Sequence, residues 1–193
     1  MLYTIFATAT PPGKSGVAVI RISGVNAKDA LFALGIVPPA ARMATLASLR
    51  YQNEIIEKAL VLYFNAPHSF TGEDVVEIHC HGSRAVLKQL LDIFSALPDF
   101  RMAEPGEFTR RAFMNGKMDL TAAEGLADLI DAETEAQRKQ AIRIMQGDAA
   151  QFYEPCVKIS CTRLPSWRPI SIFPMRIFQA MCCRKSTENC SRR

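Results

Sequence analysis

Arg21, Glu77 and Lys117 are the side chains whose types and positions best suit recognition of a planar, polar ligand. Each is expected at a strand end or a helix break, where pockets form. A carboxylate can hold the amino and ring N–H edge of a pterin or purine. Arginine and lysine can hold its carbonyl or a carboxylate tail. The same residues can instead form an internal ion-pair network, and residue types alone leave both readings open.

Two other constellations fare worse. His79-Cys80-His81 invites a metal or a Cys–His nucleophile. Strand alternation puts Cys80 on the face opposite both histidines. Residues 1–151 hold no second Cys or His cluster to complete a zinc shell, and they offer no convincing nucleophile–base pair for a self-contained enzyme. Gly13-Lys14-Ser15 has the ending of a nucleotide-binding phosphate loop. The glycine that motif needs five residues earlier is Thr8, and a β-branched strand follows where a helix should.

The elements that must position these residues follow from periodicity. Ser69 to Gly82 reads as a turn, a strand and a glycine exit. In the strand, Val76, Ile78 and Cys80 share a core face, while Glu77, His79 and His81 share the other. In Val17 to Ile22, Ala18, Ile20 and Ile22 form one face, with Arg21 opposite. Arg21 is either an arginine snorkelling at the strand's end or the partner of a ligand or carboxylate. Tyr3–Ala9, Met43–Tyr51, Lys58–Phe64 and Phe100–Ala103 read as further strands, with a polar turn around Gln52-Asn53-Glu54. Asn26 is positioned to cap a helix over Ala27–Leu34, and Arg84–Leu97 carries an amphipathic stripe. A helix opens at Pro105-Gly106-Glu107-Phe108 and stops at Asn115-Gly116, leaving Lys117 in the break. Thr121-Ala122-Ala123-Glu124 has capping-box spacing, and Thr134 begins a helix expected to reach about Tyr153. The fold class is α+β: a mixed α/β unit followed by a helical segment.

Composition describes two different pieces. Residues 1–151 hold 15 Lys+Arg and 17 Asp+Glu, whereas residues 152–193 hold 8 and 2. Cys80 is alone in the first piece; Cys156, Cys161, Cys182, Cys183 and Cys190 are in the second. The overall charge of +4 therefore reports the tail and does not argue a nucleic-acid surface for the body. No apolar run approaches the roughly 18 residues of a membrane span. Met1-Leu2-Tyr3-Thr4-Ile5 lacks the basic and apolar regions of a signal peptide, so a cytoplasmic location is expected.

Ordered blocks then resemble a family. They are Ala9-Thr10-Pro11-Pro12-Gly13, Val19-Ile20-Arg21-Ile22-Ser23-Gly24, Ser69-Phe70-Thr71-Gly72-Glu73-Asp74 and His81-Gly82. Pro105-Gly106-Glu107-Phe108, Arg111-Ala112-Phe113, Lys117-Met118-Asp119-Leu120 and Ala127-Asp128-Leu129-Ile130-Asp131-Ala132 continue the series. Together they resemble the tRNA-modification GTPase MnmE (TrmE) family, collinearly over about residues 3–153. The resemblance implies an α/β folate-binding and dimerising domain over 1–118, similar to the folate domain of the glycine-cleavage T-protein. It implies formyl-tetrahydrofolate as cofactor, held by Arg21, Glu77 and Lys117. It implies the start of a helical domain over 119–155, into which the family inserts a GTPase domain using GTP, Mg and K. It also implies a homodimer, the flavoprotein partner MnmG (GidA), and aminomethyl-type modification at C5 of the tRNA wobble uridine. The GTPase phosphate loop, its Asn-Lys-x-Asp motif and the family's C-terminal cysteine motif do not occur in this sequence. GTP hydrolysis is therefore not expected of this chain.

The composition break near Pro155–Cys156 is consistent with a reading-frame slip. Codons chosen for Leu164 onward and read one base earlier give an acidic, amphipathic helical sequence similar to the family. The fixed codons of Trp167, Met175 and Met181 fit, becoming Leu, Asp and Asp. On this reading 156–193 is an aberrant, disordered tail with accidental cysteines; the rival is a genuine basic tail that binds RNA or metal. The gene's nucleotide sequence across and beyond codon 155 decides: GTPase coding sequence in the alternative frame is the expected result, and an intact frame without it overturns the slip.

Overall fold

The structure is a computed structural model and describes residues 3–147; the expected tail lies outside the described residues. Six strands form one mixed sheet. In chain order they are β1 (Thr4–Thr8), β2 (Ala18–Ser23), β3 (Thr45–Tyr51), β4 (Glu54–Phe64), β5 (Val75–Cys80) and β6 (Phe100–Met102). Their order across the sheet is β3-β4-β5-β2-β1-β6. Every neighbouring pair is antiparallel except β1–β6, which is parallel. The expected α+β class is the one observed.

The core lies on one face of this sheet. Ala18, Ile20 and Ile22 of β2 and Val76, Ile78 and Cys80 of β5 are buried there, as alternation requires. Helix α1 (Ala27–Ala33) adds Ala27, Ala30 and Leu31. Helix α2 (Arg84–Ser95) adds Leu90, Ile93 and Phe94. Phe94 meets Phe6 of β1 edge to face at 5.7 Å between ring centroids. Each such fully buried side chain contributes roughly 1.5–3 kcal/mol.

Four local details depart from expectation. Strand β4 begins at Glu54, not Lys58, because a bulge beside Leu49/Arg50 hides its period. Gln52 and Asn53, at φ 48° and 70°, make the two-residue turn. Asn26 occupies the N-cap position of α1, but its side chain makes no capping bond. Helix α4 (Leu120–Ile130) is capped by Asp119, which accepts from the Ala122 amide at 2.7 Å, rather than by Thr121. The Thr121 hydroxyl donates instead to that Asp119 carboxylate at 2.8 Å. The capping box occurs one helix later, where Thr134 and Gln137 open α5 (Glu135–Met145). That helix ends at Met145, followed by Gly147 at φ 93°; the part of the expected helix from 148 to Tyr153 lies outside the described residues.

Gly125 lets α4 and α5 pack closely: a Cβ there would fall 2.9 Å from Met145 Cγ. Among the described residues no helix is long and apolar enough to cross a membrane.

Candidate functional site

The face of the sheet opposite the core carries the polar row. Antiparallel pairing sets Arg21 of β2 directly opposite Glu77 of β5. Their neighbours Ile20, Ile22, Val76 and Ile78 are drawn into the core, so both side chains must point the other way. Arg21 Nε donates to Glu77 Oε1 at 2.8 Å, and Nη2 lies 2.8 Å from the same oxygen in an ion pair. The guanidinium also sits over two rings, Phe70 at 5.3 Å and Phe108 at 5.8 Å. Phe70 comes from the turn before β5, and Phe108 from helix α3 (Glu107–Met114). The pair is partly exposed, at 29% for Arg21 and 17% for Glu77, so a ligand can reach it. Arg21 is thus a carboxylate-paired residue rather than a snorkelling one.

Lys117 reaches the site from another direction. The chain breaks after α3 at Gly116, φ 69°, and the Lys117 amide closes back on the Ala112 carbonyl at 2.8 Å. The Lys117 stem then passes over Gly72. A Cβ on Gly72 would lie 3.2 Å from Lys117 Cε, and Gly72 itself sits at φ 79°. A side chain at 72 would therefore be strained and would displace the lysine. Asn115 Nδ2 fastens the same turn by donating to the Thr71 carbonyl at 2.6 Å. One turn, residues 70–73, thus places Phe70 on Arg21 and leaves room for Lys117. Among the described residues Glu77 is ion-paired with Arg21 and faces His79, not Lys117; Lys117 is exposed beside the turn.

A second, buried network holds α3 to the sheet. Arg111 is 1% exposed and donates to Glu73 Oε2 at 2.9 Å, to the Tyr3 carbonyl at 2.9 Å and to Glu107 Oε1 at 3.3 Å. Glu107 also takes both ends of the Arg101 fork and the Glu104 amide. Ser23 donates to Glu73 Oε2 at 2.8 Å and shares a bond with Thr71 at 2.7 Å. Burial raises the Glu107 carboxyl, but the Arg101 bonds, the Glu104 amide and the charges of Arg101 and Arg111 outweigh it and hold the group at about 2. This clamp positions Phe108 and the Lys117 break. Of the clamp, only the Glu107–Arg111 spacing of one helical turn is visible as a local pattern in the sequence.

The His-Cys-His trio separates as alternation requires. Cys80 is in the core, while His79 faces the polar row and His81 turns to Glu57, its Nδ1 3.3 Å from Oε1. Among the described residues no group of three or more His, Cys, Asp or Glu is placed to hold a metal ion. Burial, then the Glu57 charge, pushes the Cys80 thiol up to about 11 despite a backbone hydrogen bond. Cys80 in the native chain is expected to escape alkylation at pH 8 and to react on unfolding, as read by peptide mass mapping. Labelling of the native chain at Cys80 contradicts that burial.

The more concave places lie elsewhere. A cleft of about 400 Å³ is lined by Lys14, Ser15, His81 and residues 82–85. Another, about 280 Å³, lies where α4 meets α5, beside Asp128 and Gln137. The first gathers a helix start and the second lies between two helix ends, so each is a groove left by packing. The Arg21–Glu77 pair instead stands on an open sheet face. On that face Leu46, Leu60, His79 and Val19 line up across four strands, with Leu46 69% exposed.

The family model described as "GTP-binding protein TrmE N-terminus" matches residues 4–117. Among curated relatives, "tRNA modification GTPase MnmE" of Rhodospirillum rubrum is 49% identical over 185 residues, covering 89% of this chain and 41% of that protein. The protein of the same description from Parvibaculum lavamentivorans is 54% identical over 154 residues, covering 78% of this chain and 35% of its own. That of Dinoroseobacter shibae is 55% identical over 152 residues, covering 78% and 35%. The chain therefore spans between 35% and 41% of the length of these relatives.

Proposed function

The chain belongs to the family of the GTP-binding protein TrmE N-terminus, and we propose that its α/β part binds a formyl-tetrahydrofolate through Arg21, Glu77 and Lys117. The observation that carries this reading is the Arg21–Glu77 pair, partly exposed and flanked by Phe70 and Phe108. Among the described residues, the Glu77 carboxylate accepts one hydrogen bond, from Arg21 Nε at Oε1. Oε2 and the second lone pair of Oε1 are left to accept the amino and ring N–H groups of a pterin, while the two rings offer apolar surface for its faces. Lys117, held over Gly72, is the cation for a carbonyl or for the acidic tail of a folate.

The reading includes a homodimer. The pair stands on a shallow, open face, and a ligand there gains a second wall if a second copy covers Leu46 and Leu60. The division into a folate domain over 1–118 and the start of a helical domain over 119–155 belongs to the same proposal. So does a place in wobble-uridine modification of tRNA in the cytoplasm, with the flavoprotein MnmG (GidA) as partner. GTP, Mg and K belong in this scheme to a GTPase domain outside the given residues.

The competing reading is an assembly module whose polar row is structural, since an internal ion pair at Arg21–Glu77 needs no ligand. Calorimetry with a formyl-tetrahydrofolate, alongside light scattering, separates the two. Saturable binding to a dimer is expected. A dimer that binds no folate leaves assembly as the function.

A further inference from the structure

His79 carries an unexplained atom. Its Nε2 is buried from solvent and has no hydrogen-bond partner. Such an atom is costly unless something meets it. The nearest ionisable oxygen is Glu77 Oε2 at 3.6 Å, just beyond a hydrogen bond. The other oxygen of that carboxylate already accepts from Arg21 Nε and is ion-paired with Nη2. On either side along the sheet His79 faces Leu60 and Val19, which offer it nothing polar from their side chains. The charged groups on this face from the packed strands are Glu77 on β5, Arg21 on β2, committed to Glu77, and Lys58 on β4, two residues from Leu60. His81 is turned away to Glu57.

A lone pair on Nε2 facing a carboxylate would be repelled, so the arrangement favours the tautomer with its proton on Nε2. We propose that His79 is a positioning residue of this site: its Nε2–H donates to Glu77 Oε2 and fixes the carboxylate plane. A small rotation of either side chain closes the gap. Arg21 then holds one oxygen and His79 the other, and the lone pair left on each is aimed at the donor edge of a ligand. The ligand part of this inference rests on the proposed folate site; the His79–Glu77 bond does not.

The test has two arms on the full chain. In the first, the ¹⁵N signals of the His79 imidazole and the exchange of its Nε2–H proton are read by NMR at one fixed pH without ligand. The Nε2–H tautomer is expected, with its proton protected from exchange; Glu77→Ala is expected to lose that protection, while Glu57→Gln, beside His81, leaves it unmoved. A His79 tautomer and Nε2–H exchange rate indifferent to Glu77→Ala overturn the inference. In the second, calorimetry with a formyl-tetrahydrofolate is expected to show His79→Ala weakening binding about tenfold. His79→Gln, whose amide can place a donor near the Nε2 position, is expected to restore most of it. Binding that needs Glu77 but tolerates His79→Ala also overturns the inference. If the wild-type chain binds no folate, the proposed function fails by itself, and the NMR arm still decides the bond.

Discussion

Glu77→Ala is expected to weaken formyl-tetrahydrofolate binding by about a hundredfold or more while leaving the dimer intact. The size follows from what the side chain would do. A carboxylate accepting two N–H groups from a pterin makes two charge-assisted bonds, each worth about 1.5–3 kcal/mol. Losing both exceeds the roughly 2.7 kcal/mol of a hundredfold change. The fold should tolerate the truncation. Arg21, left without its partner, is 29% exposed and keeps Phe70 and Phe108 beside it, so solvent takes over much of the charge. Glu77→Gln should fall between, because an amide oxygen can still accept from Arg21 but carries no charge and presents a donor at the other position. Calorimetry measures the loss, and light scattering on the same samples checks the dimer. Wild-type affinity in Glu77→Ala would remove Glu77 from the site and with it the reading of the polar row as a ligand wall.

Arg111→Ala should be the most damaging single change to stability, costing about 3–5 kcal/mol. Arg111 is 1% exposed, and its loss would leave the Glu73 carboxylate without its cation, remove one donor from Glu107 and take the side-chain donor from the Tyr3 carbonyl. For a unit of this size the cost is roughly 6–20 °C in Tm. Arg111→Lys should rescue little, since an ammonium cannot span three acceptors with the guanidinium's planar fork. Arg110→Ala is the control: its side chain is 56% exposed, and its contacts, 3.2 Å to exposed Glu104 and a long 3.7 Å to Glu107, are worth about 0–1 kcal/mol. Thermal unfolding followed by circular dichroism checks all three, and equal effects at 110 and 111 would refute the clamp. The clamp also makes stability acid-sensitive. The Glu107 carboxyl is lowered from 4.5 to about 2. Its contribution is therefore complete above the unfolded value and is lost as pH falls from about 4.5 through about 2. The loss is on the order of 2 kcal/mol once screening is allowed for, and Glu107→Gln should remove that part of the pH dependence. Because α3 carries Phe108 and leads to Lys117, weakening the clamp should also loosen the ligand site.

How much of this was legible in the sequence depended on the range of the interaction. Ala18, Ile20 and Ile22 against Arg21, and Val76, Ile78 and Cys80 against Glu77, are local alternations. They placed the core face and the polar face correctly, and they separated Cys80 from its neighbouring histidines. The bulge beside Leu49/Arg50 defeated the same reasoning in β4, because one extra residue inverts the pattern. Thr121 was a plausible cap by spacing, yet Asp119, two residues earlier, has the carboxylate that reaches the Ala122 amide. The clamp was out of reach for a different reason. Beyond the one helical turn from Glu107 to Arg111, no period links that pair to Glu73, Arg101 and the Tyr3 carbonyl, which are spread across more than a hundred positions.

By itself, then, the sequence determined the faces of the strands, the α+β class and, through its ordered motifs, the family. These rest on side-chain direction and local backbone chemistry, which each residue carries wherever it is placed. Only the tertiary structure decided that β2 lies beside β5 in the register that sets Arg21 against Glu77. It alone put Phe70 and Phe108 on that guanidinium, ran Lys117 over Gly72 rather than into the pair, and left His79 Nε2 beside an unshared oxygen. Strand order and register are set by which surfaces bury each other, a property of the whole packed chain rather than of any segment.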